Sequence, residues 1–337
     1  DLADAIPTSF GTEQGIMHNK FLVIDVNLVS SKVVGGSTNW TSANLGWDFN
    51  NIVTIEDQSL ARAYTLEFNE MFGSSTGTPD PLFARFGDDK QDNTPHKFEI
   101  GEVAVELYFS PSDGTTGQMV KHINAAESRI DFGVMVYTEN SLGNSMLAAN
   151  DAVDVTGIID YVEFNGSEFN MLVNGNVDVL DYMNSDGSQW PDGPVFHHKY
   201  CIIDHDEGDE NPVLITGSHN WSASSENSND ENTLIIFDHS LANQFYQEYS
   251  QRRQEQLDLS IDGNQAFTIQ VYPNPIENNL YINSLSELFY SVHSVSGQTV
   301  ATGKITIGKN SLDLSSLNAG MYFLTLENGE GLKLIKR

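Results

Sequence analysis

The sequence predicts an α/β protein of two repeated mixed-sheet α/β/α halves, the first shortened at its N-terminus, followed by a small all-β sandwich. Three observations carry this. The segment Gly-Ile-Met-His-Asn-Lys-Phe-Leu-Val-Ile-Asp at 15–25 returns as Pro-Val-Phe-His-His-Lys-Tyr-Cys-Ile-Ile-Asp at 194–204. Each copy is followed by two apolar runs and an amphipathic stretch, the order of an α/β unit. Charge then changes abruptly: residues 1–265 hold 11 Lys and Arg against 42 Asp and Glu, whereas residues 266–337 hold 5 against 5.

The repeat continues through Gly36-Ser37-Thr38-Asn39-Trp40 against Gly217-Ser218-His219-Asn220-Trp221, and through Asn51 and Asn232 into matching apolar runs. The offset is 179 before the loop that follows the motif Asp and 181 after it, as a duplication with a two-residue insertion requires. Residues 18–25 and 197–204 alternate and then run apolar, so both read as strands entering a core. Residues 32–36 and 213–217 read as second strands, and 51–56 and 232–238 as third strands. Leu60, Tyr64, Phe68 and Phe72 recur every four residues, which predicts an amphipathic helix over 60–72 with a counterpart over 241–249. Upstream of His197 lie a strand-like run at 103–109 and a helix-like run at 117–126. Only 17 residues precede His18, so by repeat symmetry the first half lacks roughly 80 residues that its twin has, and the chain is expected to be a fragment. Residues 73–101, with three prolines among Ser, Thr, Gly and Asp, read as a linker. Short β-rich runs at 289–295, 299–306 and 321–326, with turns at Ser296-Gly297 and Asn328-Gly329, predict the sandwich. The expected domains are therefore 1–95, 96–258 and 259–337.

Composition narrows the function. With 39% hydrophobic residues in 337, the chain can bury cores. No apolar run approaches the ~18 residues of a membrane span. One cysteine, Cys201, excludes an intrachain disulfide. A net charge of −31 repels polyanions, because nucleic-acid binding depends on Lys and Arg displacing counterions.

Two copies of His-x-Lys-x4-Asp, each with Gly-Ser-x-Asn-Trp downstream, resemble the phospholipase D superfamily over residues 1–256. The tail carries Tyr272-Pro273-Asn274-Pro275, Val295-Ser296-Gly297, Leu312-Asp313-Leu314-Ser315, Gly320-Met321-Tyr322-Phe323 and Lys333-Leu334-Ile335-Lys336. It resembles the C-terminal sorting domain of the bacterial type IX secretion system. Together the resemblances imply an exported phosphodiesterase, secreted or held at the cell surface by the type IX machinery, with a signal peptide upstream of residue 1. In that superfamily one motif histidine forms a phosphohistidine and the other protonates the leaving alcohol. The resemblance implies these roles for His18 and His197, in that order or exchanged.

The chemistry asks for the same residue types. Metal-free phosphodiester cleavage needs a nucleophile, an acid for the alkoxide and cations around the phosphate oxygens. The two histidines supply the first two. Lys20 and Lys199, two residues along a strand from them, share their face. Asn39 and Asn220 add amide donors for the phosphate, and Ser37 and Ser218 hydroxyls. Asp25 and Asp204 complete the motifs as catalytic candidates. Five residues past each lysine, about 17 Å along an extended chain, they are expected to fix the fold rather than touch an imidazole. In relatives the acid that orients each histidine lies just before the third strand. Counted within each copy, that position is Glu231 in the second and Asn50 in the first, which makes the histidines unequal.

His198 and His219 fill variable positions and are expected to be incidental; Trp40 and Trp221 are expected to pack. No cofactor or metal is required by this chemistry. The loop His205-Asp206-Glu207-Gly208-Asp209-Glu210-Asn211 is expected to be a solvated turn, with calcium binding as the alternative. The expected substrate is a phospholipid at a membrane or micelle surface, acted on by a monomer. A nuclease acting on DNA or RNA and a catalytically silent surface protein are the alternatives.

Overall fold

Each copy of the repeat folds into the same run of elements. The computed structural model describes residues 15–163, 165–183, 194–206, 208, 211–264, 269–284, 287–295, 297–327 and 331–337. In the first copy, β1 (Phe21–Ile24), β2 (Lys32–Gly36) and β3 (Ile52–Glu56) form an antiparallel sheet in that order. A short helix α1 (Ser42–Gly46) sits in the β2–β3 connection, and α2 (Gln58–Phe72) follows β3. Asp57 accepts the Leu60 N–H at the start of α2, and Gly73 ends it in the left-handed region at φ 73°.

The second copy is embedded in a larger sheet. Its elements are β4 (Lys97–Ile100), β5 (Val103–Ser110), α3 (Thr115–Ile123), β6 (Arg129–Val134), α4 (Asn140–Asn150), β7 (Asp154–Ile159), α5 (Phe169–Asn174) and β8 (Asp178–Asp181). The repeat proper follows as β9 (Lys199–Ile203), β10 (Val213–Gly217), α6 (Ala223–Asn227), β11 (Glu231–Ile236) and α7 (His239–Asn264). The strands order as β4-β5-β11-β10-β9-β6-β7-β8. β6, β7 and β8 run parallel through the crossover helices α4 and α5, and the other pairs are antiparallel. Every residue of β9, β10 and β11 is buried, as strands covered on both faces require. One face packs Ile130, Phe132, Met146 and Trp221; the other packs Tyr200, Ile202 and Leu214 against Ala242 and Tyr249 of α7.

The halves differ at one edge. β9 lies beside β6, whereas the outer edge of β1 has no strand partner among the described residues. Leu22 and Ile24 are accordingly 47% and 43% exposed, while the matching Cys201 and Ile203 are 0% and 1%. The halves meet through α2, whose Leu60 and Tyr64 pack with Leu107, Phe109 and Leu234 of the large sheet.

Two expectations need correction. The helix predicted over 241–249 runs from His239 to Asn264, because its polar continuation is held by Arg253 on Asp178 and by Gln256 on the backbone of Met183. The predicted linker contains β4 and places the Lys90 ammonium, fully buried, against Glu67 and the Ser110 carbonyl. A buried cation with these partners makes the segment part of the core.

Contacts divide the chain into the units Asp1–Gln256 and Leu257–Arg337. The second unit contains β12 (Ile269–Tyr272), β13 (Asn279–Ser284), β14 (Leu288–Ser294), β15 (Thr299–Ile305), β16 (Gly308–Asp313), β17 (Gly320–Leu326) and β18 (Gly331–Lys336). They form the sheets β12-β13-β16 and β15-β14-β17-β18 around Leu280, Ile282, Val292, Ile305 and Leu324. This is the predicted all-β sandwich. Ser296, Asn328 and Gly329 of its expected turns lie outside the described residues.

Candidate active site

The duplication places each motif histidine at the end of a chain segment that pairs with the opposite half. Met17 bridges to Asp230 just before β11, and the His18 N–H donates to the Asp230 carbonyl at 2.9 Å. In the mirror position Phe196 bridges to Phe49 just before β3, and the His197 N–H donates to the Phe49 carbonyl at 2.7 Å. The two motifs are thereby brought close enough for His18, Lys20 and Lys199 all to act on His197. Lys20 immediately precedes β1 and Lys199 begins β9, and each ammonium donates to the carbonyl of its own histidine, at 2.8 and 2.9 Å.

Glu231 reaches across the halves. Its Oε2 lies 2.7 Å from Nδ1 of His18, and the carboxylate is fully buried. Reading the orienting acid with the histidine of its own copy is thus corrected: the exchange of segments before β3 and β11 brings Glu231 to His18. Burial pushes the Glu231 carboxyl up, but His18 and then Lys20 outweigh it and hold it at about 2. His18 is lowered by burial, with Glu231 opposing and both lysines adding to the drop. His197 is driven far down by burial and then by Lys199, Lys20 and His18, with the Ser37 backbone pulling the other way. Its Nδ1 has no hydrogen-bond partner among the described residues. Burial also brings Lys20 down to about 8 and Lys199 well below the usual lysine range. The site is a buried pair of imidazoles and ammoniums with Glu231 on His18 and Asp160 acting on Lys199, suited to an anion with a transferable centre.

The remaining candidates separate. Asn39 stays half-buried with its Nδ2 3.5 Å from Nε2 of His197, and Asn220 is half-buried with an unpartnered Oδ1. Both asparagines remain available to a ligand. The expectation that Ser37 and Ser218 bind phosphate is corrected. Both are fully buried, and each Oγ accepts two hydrogen bonds, from the N–H and side-chain amide of Asn51 or Asn232. The glycine before each serine is required by this approach: a Cβ at Gly217 would stand 2.1 Å from the Asn232 carbonyl oxygen. The catalytic assignment of Asp204 is corrected as well, in favour of the structural role expected from its distance along the strand; Asp25 is not seen in that role. Both adopt left-handed backbone at the strand end, φ 53° and 51°. Asp204 accepts the N–H groups of Glu127, Ser128 and Arg129 and the Ser128 hydroxyl, while Asp25 is exposed.

A family model described as "Cardiolipin synthase, PLD-like domain" matches residues 2–72 and 119–253. The chain belongs to the phospholipase D-like family. A second model, "Secretion system C-terminal sorting domain", matches residues 270–337. Among curated proteins, a mitochondrial cardiolipin hydrolase of Mus musculus is 27% identical over 146 residues, 41% of this chain and 58% of the relative. The Homo sapiens protein of the same name is 26% identical over 140 residues, 41% and 50% respectively. The chain thus spans about half the length of these relatives. Among solved structures, phosphatidylserine synthase of Haemophilus influenzae shares the fold at 14% identity, covering 72% of this chain and 63% of its own, with a TM-score of 0.51.

Several residues of this phospholipase D-like site escaped sequence reasoning. Asn51 and Asn232 cross-link the halves: Asn232 Nδ2 donates to Asn19 Oδ1 at 2.9 Å, and Asn51 Nδ2 lies 3.3 Å from His198 Nδ1. Their matched positions in the repeat were the available signal. His198 is therefore not incidental; it is buried beside Phe196 and Tyr200, 3.4 Å from Glu248. His219 is buried too, 3.5 Å from Glu226. Trp221 packs on Phe132 and Tyr137 as expected, but Trp40 is 46% exposed. In the acidic loop after Asp204, Glu207, Asp209 and Glu210 lie outside the described residues. Among the described residues no cluster of His, Cys, Asp and Glu suits a metal ion, and no helix is long and apolar enough to cross a membrane.

Proposed function

We propose that this chain is an exported phosphodiesterase that hydrolyses phospholipid head-group esters through a phosphohistidine on His18. The observation that carries this reading is the pairing of Glu231 with Nδ1 of His18, which leaves Nε2 as the nucleophilic nitrogen. In the first step the Nε2 lone pair forms a bond to phosphorus as the bond from phosphorus to the head-group oxygen breaks. The departing alkoxide takes the proton carried by His197. In the second step His197 removes a proton from water, the hydroxide attacks phosphorus, and the phosphorus–nitrogen bond breaks to release phosphatidate and His18. Lys20, Lys199, Asn39 and Asn220 hold the non-bridging oxygens. The His197 proton arrives with substrate, because an anionic phosphodiester offsets the burial and the lysine field that together keep the ring neutral.

Phospholipid is favoured over nucleic acid by the electrostatics. Most basic side chains of residues 1–256 are already paired with carboxylates, Arg129 with Asp131, Arg252 with Glu248 and Glu255, and Arg253 with Asp178 among them. Among the described residues no cationic track is left for a polyanion to follow. The names of the curated relatives agree with a lipid phosphodiester. Residues 270–337 serve export through the type IX machinery, and no divalent metal takes part in the chemical step.

The deciding experiment incubates the protein with phosphatidylcholine vesicles or single-stranded DNA in EDTA, measuring free choline and acid-soluble nucleotides. Choline release alone is expected. Nucleotide release without choline overturns the substrate, and loss of all turnover in EDTA, restored by a divalent ion without refolding, overturns the metal-free mechanism.

A further inference from the structure

His18 and His197 occupy matched positions of the repeat, and so do Glu231 and Asn50. The backbone preserves this equivalence, since each histidine N–H is held by the carbonyl of the residue just before Glu231 or Asn50. The duplication thus builds two equivalent slots from which a side chain could reach an imidazole Nδ1. Only one slot is used in that way. Asn50 instead donates from Nδ2 to the carbonyls of Asn44, at 2.6 Å, and Asp48, at 3.0 Å, and accepts from the Thr38 hydroxyl on Oδ1. All three partners belong to the connection carrying α1, and Nδ1 of His197 is left without a hydrogen-bond partner among the described residues.

We propose that Asn50 fixes the direction of catalysis: by clamping the α1 connection and withholding a carboxylate from His197, it leaves His18 as the only imidazole able to carry the phosphoryl group. The inference rests on the phosphodiesterase reading above. An imidazole bonded to phosphorus through Nε2 is cationic unless Nδ1–H is shared with a base. Glu231 shares that charge for His18. An attack by His197 would instead hold a cation on that ring for the life of the intermediate, among Lys199, Lys20 and His18 and with no base at Nδ1, whereas as the acid it gives its proton up in the first step. His197 is therefore confined to moving protons, and Asn50 is a positioning residue.

The test moves the acid from one slot to the other in the full chain. Wild type and the double variant Glu231→Gln/Asn50→Glu are mixed with bis(p-nitrophenyl) phosphate, quenched in alkali, and the covalent adduct is located by peptide mass spectrometry. The wild-type adduct is expected on His18 and the double-variant adduct on His197; a wild-type adduct on His197, or a double-variant adduct on His18, overturns the proposal. An independent arm titrates nitrogen-15-labelled histidine by NMR in Asn50→Glu and in the nearly isosteric Asn50→Asp. A rise of at least tenfold in the proton affinity of His197 is expected in a folded variant, and no rise in either overturns the proposal. Cleavage without any adduct in wild type removes the phosphohistidine reading instead, and the NMR arm still decides what Asn50 does to His197.

Discussion

Replacing Glu231 with Gln keeps the shape of the side chain and a hydrogen-bond acceptor but removes the charge that faces His18. The structure sets the size of the effect. The carboxyl is held at about 2 against an ordinary 4.5, chiefly by His18 once the cost of burial is overcome. Because burial lowers His18 as well, the ring is mostly neutral at pH 7, and the carboxylate faces a full positive charge only when the ring bonds to phosphorus or takes up a proton. The attraction grows as the ring becomes cationic in the transition state, so Glu231→Gln is expected to lose on the order of 10² in kcat/KM toward phosphatidylcholine. The assay is steady-state choline release from vesicles between pH 5 and 9, with a thermal melt of each variant at pH 7 to verify folding. Glu231 has a depressed folded pKa, so its own stabilisation is present above about pH 4.5 and lost as pH falls through about 2; at pH 7 the variant lacks it and melts lower. A folded variant with kcat/KM within threefold of wild type, alongside an inactive His18→Asn, would refute the claim that Glu231 stabilises the nucleophile.

Further outcomes follow from the same contacts. Asp160 is pushed up to about 7 by burial while accepting the Phe196 N–H at 2.8 Å. As a raised acid it costs the fold stability as pH climbs from about 4 through 7, so Asp160→Asn, which keeps the acceptor, should melt higher than wild type by roughly 8–16 °C at pH 8 and at the wild-type temperature at pH 4; a difference that does not change with pH would count against this. Asp204→Ala leaves three backbone N–H groups of 127–129 without their acceptor. It should cost about 3 kcal/mol by denaturant melts with kcat of the folded protein retained; loss of kcat without loss of stability would return Asp204 to the catalytic set. Trp221→Ala should destabilise by about 3–5 kcal/mol and Trp40→Ala by under about 1, because the first is enclosed by Phe132 and Tyr137 and the second is 46% exposed. Equal costs would contradict this asymmetry of the two halves.

What the sequence alone determined was local or repeated. The doubled His-x-Lys motif, the strands at 32–36 and 213–217, the helix after β3 and the break to a neutral β-rich tail all rest on periodicity, spacing or composition within a few residues. The inequality of Glu231 and Asn50 was legible too, since a count along each copy reveals it. The region 127–183, with its parallel strands and crossover helices, was not read at all, because it has no twin in the first copy against which a pattern could be matched. Tertiary structure alone decided which histidine receives the carboxylate. Glu231 and His18 are 213 residues apart, and their contact arises because the segments before β3 and β11 each pair with the opposite half. The same packing turned Ser37 and Ser218 inward to hold Asn51 and Asn232, and made Lys90 part of the core rather than of a linker. A chain that is duplicated writes its residues twice in sequence, but whether a pair forms within a copy or between copies depends on how the two halves face each other, and that geometry is set by the burial of α2 against the large sheet and by the bridges between the halves.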